Sequence, residues 1–96
     1  MNANLDARVK EDIVRLAERH GIQKIILFGS RARGDNRERS DIDLAVSGGS
    51  IGEFAEAVDE EAWTLLMFDV VNLDRGITAE LAAEIERDGV VLYEKV

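Results

Sequence analysis

Phe28-Gly29-Ser30-Arg31-Ala32-Arg33-Gly34-Asp35-Asn36-Arg37-Glu38-Arg39-Ser40-Asp41-Ile42-Asp43-Leu44 decides the fold of this chain. Upstream of it, Lys24 to Phe28 is short, apolar and β-branched, the signature of a buried strand that ends in a Gly-Ser turn. Downstream, from Asp41 to Val46, apolar residues alternate with others. In a strand, Ile42, Leu44 and Val46 share one face, and Asp41, Asp43 and Ala45 share the other. The aliphatic face needs a cover of helices, which leaves both carboxylates on the open face. The stretch therefore reads as strand, turn, linker, strand, with ten residues between Ser30 and Asp41.

The flanking sequence fits that frame. Leu5, Val9, Ile13, Leu16 and Ala17 recur at helical spacing, and Gly21 is placed to stop the helix. Ser47-Gly48-Gly49 is a turn, and Ser50 with Glu53 predicts a capping box for a helix reaching about Glu61. Leu65 to Leu73 reads as a central strand, apolar on both faces except for Asp69. Thr78 is placed to cap a helix carrying Leu81, Ala82 and Ile85, which Gly89 ends, and Val90 to Tyr93 forms a last strand. The linker Asp35 to Ser40 has no periodicity and is expected to be mobile. The expectation is one α/β (α+β) domain over residues 1–96, with a mixed sheet of about four strands, helices packed on one face and the site on the open face.

Composition bounds the function. Hydrophobic residues form 46% of the 96 residues and charged residues 33%, a globular balance. No cysteine is present, which excludes disulfides and thiolate metal sites. Neither a signal peptide at the N-terminus nor an apolar run long enough for a bilayer is visible, so a cytoplasmic location with no membrane contact is expected. The net charge of −8 argues against strong nucleic-acid binding. Yet Arg31, Arg33, Arg37 and Arg39 outnumber Asp35 and Glu38 in the linker. Arg31 and Arg33, nearest the turn, are the candidates for holding phosphate.

Three carboxylates on neighbouring strands beside a Gly-Ser turn suit holding divalent metal against a nucleoside triphosphate. Asp41 and Asp43 share a strand face, and Asp69 sits in an apolar run, where an acid is costly unless something satisfies it. Nucleotidyl transfer needs charge neutralised on phosphate oxygens and a proton removed from the attacking hydroxyl. Two Mg²⁺ ions roughly 4 Å apart serve both needs. Gly29 lets the backbone approach phosphate, and Ser30 offers a hydroxyl and an N–H.

The stretch Phe28 to Gly34 with Ser40 to Leu44 resembles the signature of the DNA polymerase β-type nucleotidyltransferase superfamily, and the chain is similar to its minimal nucleotidyltransferase (MNT) domains. The likeness extends to Phe68-Asp69-Val70-Val71 and to Asp88-Gly89-Val90-Val91-Leu92-Tyr93. The resemblance implies ATP as donor, Gly29 and Ser30 on the triphosphate, and Mg²⁺ held by Asp41, Asp43 and Asp69. It also implies an antitoxin that transfers AMP to a tyrosine hydroxyl of a HEPN-domain toxin, and it leaves homo- and hetero-oligomers open. With the chain ending just after its last strand, the expectation is that either a partner presents the acceptor or the site is vestigial, which disfavours antibiotic adenylylation and tRNA end addition. The alternative is a non-catalytic antitoxin that inhibits a HEPN ribonuclease by binding alone, for which clustered carboxylates bring no advantage. Trp63 is read as core or interface, Tyr93 as structural, and His20 as a helix-end residue meeting terminal carbonyls.

Overall fold

A computed structural model describes residues 3–95, so the ends of the expected 1–96 domain (residues 1, 2 and 96) lie outside the described residues. Four α-helices and four strands alternate along them, with one 3-10 turn (Leu73–Arg75) after the third strand: α1 (Ala7–Arg19), β1 (Lys24–Phe28), α2 (Ser30–Arg33), β2 (Ile42–Ser47), α3 (Ile51–Glu61), β3 (Phe68–Asn72), α4 (Ala79–Asp88) and β4 (Val90–Glu94). The strands form one mixed sheet in the order β3-β2-β1-β4. β1 pairs antiparallel with β2 and with β4, and β2 pairs parallel with β3 through the α3 crossover. The α+β class and the four-strand mixed sheet agree with the sequence reading.

Local chemistry explains most boundaries. The Asp6 carboxylate accepts from Arg8 N–H and starts α1, which buries Val9, Ile13, Leu16 and Ala17. At the end of α1 the His20 N–H donates to Leu16 O and the Gly21 N–H to Glu18 O, and Gly21 turns the chain at a φ of +68°. Thr78 caps α4 as expected, its hydroxyl accepting from Leu81 N–H. Ser50 does not close a capping box. Its N–H donates to His20 O at 3.0 Å, and the Glu53 carboxylate leans toward the His20 ring, 4.0 Å from Nδ1. The donor that Glu53 needs is already taken.

The core lies between the sheet and the pair α1 and α3. Ile42, Leu44 and Val46 of β2 are fully buried there with Ile13, Leu16, Ile25, Leu27, Phe54 and Val58. Each such side chain contributes about 1.5–3 kcal/mol from burial. Tyr93 packs, partly buried, against the same cluster.

Two expectations change. The sheet has helices on both faces: α4 lies on the acid-bearing side, where Ile85 packs with Phe28 and Ala45, flanked by Ile26, Val71 and Leu81. Its amphipathic pattern states that it must bury a stripe but not on which face. β3 is an edge strand, and it is shorter than the apolar run that predicted it. Leu65 and Met67 precede it and stay exposed, so continuous hydrophobicity here marks a surface rather than a central position.

Candidate active site

Gly29 stands at the junction of β1 and α2 with φ +75° and ψ −158°, a conformation that side-chain-bearing residues avoid. It is buried, and a Cβ placed on it would collide with Asp43 Oδ2 and lie 3.2 Å from Cγ. The Asp43 carboxylate is therefore laid against the bare backbone of the Gly-Ser turn. Register explains the approach: Phe28 pairs with Asp43 across β1 and β2, which places Gly29 one step beyond. α2 begins directly after Gly29, and the first N–H groups of a helix have no partner within it, so Ser30 offers backbone and hydroxyl donors together.

The parallel pairing sets Asp43 beside Asp69, one strand spacing away. Asp41 precedes β2 on the same face and is exposed, as is Asp69, whereas Asp43 is half-buried. Burial, with the negative charges of Asp69, Asp41 and Glu84 around it, pushes the Asp43 carboxyl up to about 6; Arg33 partly offsets them. Glu84, on α4, was not singled out by the sequence. Its placement depends on α4 crossing the acid face, and only its position beside buried Ile85 hinted at it.

Acidic oxygens gathered around Asp43, which raise its proton affinity, form a donor set suited to a hard divalent cation. Among the described residues, no three acidic or histidine side chains converge closely enough to chelate an ion as they stand. Asp41, just ahead of β2, and Asp69, the second residue of β3, are exposed and flank Asp43 on the same face of the sheet. The residues present fit such a metal.

The two arginines part company. Arg33 stays at the surface near Asp43, its Nε 3.1 Å from Asp35 Oδ2 and Nη1 3.5 Å from Asp88 Oδ2. These carboxylates hold its guanidinium more firmly protonated than usual. Arg31 does not meet the expectation of a phosphate-binding side chain. It is only 6% exposed, and its guanidinium donates to the carbonyls of Ser40, Glu38 and Asn4. The linker is correspondingly tied down rather than loose: Arg37 N–H donates to Ser40 Oγ at 2.8 Å, and Ser40 N–H donates to Arg37 O at 3.1 Å.

Trp63, Leu65 and Met67 are exposed, and a depression of about 420 Å³ lies among Glu38, Arg39, Leu65, Leu66 and Met67. Trp63 is 68% exposed, which removes the core reading; Arg8 stacks on its ring at 4.5 Å, and Asp12 accepts from its backbone N–H. No described helix is long and apolar enough to cross a membrane.

Comparison with known proteins agrees with this fold. The family described as polymerase beta, nucleotidyltransferase, matches residues 11–96. A protein of Methanocaldococcus jannaschii that bears the name of a protein adenylyltransferase is 39% identical over 96 residues, all of this chain and 83% of its own length. A toxin–antitoxin crystal structure with AMP-PNP superposes with a TM-score of 0.72 at 26% identity, covering 90% of this chain and 73% of that one. A structure described as a minimal nucleotidyltransferase gives a TM-score of 0.65 at 30% identity, covering 84% of this chain and 86% of that one.

Proposed function

The chain belongs to the polymerase beta nucleotidyltransferase family and is an enzyme of that class, and we propose that it transfers AMP from ATP to a hydroxyl of a partner protein. The acceptor in this reading is a tyrosine of a HEPN-domain toxin, which the transfer silences, and the domain spans residues 1–96. One observation carries the reading. Asp43, aligned with Asp69 on the next strand, lies directly against Gly29 at the phosphate turn, so acids and turn form one site. The adenylyltransferase name of the M. jannaschii relative and the toxin–antitoxin structure with AMP-PNP support the donor and the kind of partner.

Each residue has a task. Gly29 admits the triphosphate to the backbone, and Ser30 donates to its terminal oxygens. Arg33, the exposed arginine beside Asp43, neutralises phosphate charge. Divalent metal, Mg²⁺ in this reading, held by Asp41, Asp43 and Asp69, would supply positive charge to the phosphate oxygens and to the attacking hydroxyl. Asp69, exposed at the edge strand, orients that hydroxyl and receives its proton. The acceptor oxygen bonds to the α-phosphorus as the bond to pyrophosphate breaks, and pyrophosphate leaves with the electron pair. Leu65 and Met67, exposed in the segment that leads into β3 and Asp69, suit a protein acceptor better than a small one.

The test is intact-protein mass spectrometry of the co-purifying partner, first shown to be unmodified, after incubation of the complex with Mg²⁺-ATP. A gain of one or more adenylates is expected with the native chain and none with Asp43→Asn. A tight complex with no gain in mass would replace this reading with inhibition by binding alone.

A further inference from the structure

Arg31 presents an unusual arrangement. It is a cation only 6% exposed, and among the described residues no carboxylate forms an ion pair with it. Burying an unpaired charge is expensive unless its nitrogens find acceptors. Here all three nitrogens do. Nε donates to Ser40 O at 3.0 Å, Nη2 to Glu38 O at 3.0 Å and Nη1 to Asn4 O at 3.3 Å. The Asn4 N–H returns a bond to Arg31 O at 2.7 Å, so the segment ahead of α1 is fastened as well.

Position gives the contact its meaning. Arg31 follows Ser30 of the phosphate turn, and Ser40 precedes Asp41. One side chain thus bridges the two halves of the site, which the sequence separates by ten residues. We propose that Arg31 is a positioning residue: by gripping the carbonyls of Glu38 and Ser40 it fixes where Asp41 and Asp43 stand relative to Gly29 and Ser30, with Asn4 as its brace. The proposal rests on the reading of Asp41 and Asp43 as metal ligands. Three carbonyls in three directions match the planar fork of a guanidinium and not a single ammonium.

The test compares wild type, Arg31→Met and Arg31→Lys by two measurements. The first is the Mg²⁺ dependence of AMP-PNP binding. With Arg31→Met, the half-saturating Mg²⁺ concentration should rise about tenfold or more, the usual effect of losing a group that orients metal ligands. AMP-PNP affinity at saturating Mg²⁺ should stay near wild type, and Arg31→Lys should fall between. The second is amide hydrogen exchange of the metal-free protein, where residues 38–42 should exchange faster in both variants while α1 and β1 do not. Wild-type Mg²⁺ dependence with unchanged exchange would overturn the proposal. So would an equal loss of AMP-PNP affinity at every Mg²⁺ concentration, which would place Arg31 on the triphosphate itself. Should Arg31→Met not fold, Arg31→Lys gives both readings. If wild type binds no AMP-PNP with Mg²⁺, the adenylyl-transfer reading fails, and exchange at residues 38–42 alone decides the clamp.

Discussion

The two faces of the sheet share the same strands and are built to opposite specifications. On one, α1 and α3 close over Ile42, Leu44 and Val46 in a cluster of buried apolar side chains. On the other, α4 covers Ala45 and Phe28, and the strands carry Asp43, half-buried against Gly29, and the exposed Asp69 paired beside it. β2 belongs to both, with alternate residues serving stability and chemistry. The difference teaches that the closed face carries the free energy of folding, while the acid face holds charges that oppose it. An unliganded carboxylate cluster is destabilising by itself, and the dry face supplies the surplus that lets it persist.

Three perturbations press on that contrast. Phe54, fully buried between the helices and the sheet, should show the largest effect on stability. Phe54→Ala is expected to destabilise by about 4 kcal/mol in urea unfolding. AMP-PNP affinity per folded molecule should be retained, and a matching loss of affinity would refute the division of labour. Gly29→Ala comes next, acting on the other face: its Cβ meets Asp43 Oδ2, and its φ of +75° strains any side chain. Transfer should fall about a hundredfold from misplaced acids, with far less loss of stability than Phe54→Ala; equal transfer in the two proteins would remove Gly29 from the site.

The smallest effect is a pH slope. The Asp43 carboxyl titrates near 6 when folded and near its ordinary 3.8 when unfolded, so the folded state binds the proton more tightly. Stability from this group is full below about 3.8 and is lost as pH rises through about 6. For a dry group the difference is about 3 kcal/mol; solvent around this half-buried side chain reduces it to about 1 kcal/mol. In metal-free protein, Asp43→Asn should therefore gain on wild type by about that amount between pH 4 and pH 7. Parallel stability curves for the two proteins would show that Asp43 is not crowded by its neighbours.

Local rules made much of this legible. The alternation in Asp41 to Val46 separated core from site, and Thr78 and Gly89 marked the ends of α4, because period and caps are written in neighbouring residues. What escaped depends on distant partners. Arg31 looked like a phosphate ligand because its acceptors are backbone carbonyls, one of them on Asn4, which no charge count reveals. The run Leu65 to Leu73 looked central because hydrophobicity does not distinguish a strand packed on both sides from an edge strand next to an exposed apolar row. The side of the sheet taken by α4, and with it Glu84, followed from topology rather than from pattern.

β1 is flanked by β2 on one side and by β4 on the other, so Lys24 waits for Glu94. Contacts so far apart in sequence form slowly, and an unpaired apolar strand invites other chains in the meantime. As the polypeptide emerges from the ribosome, the strand leading to Gly29 has one open edge until β4 arrives. Nucleotide binding and resistance to aggregation should therefore appear together, late, as one event in the birth of the molecule.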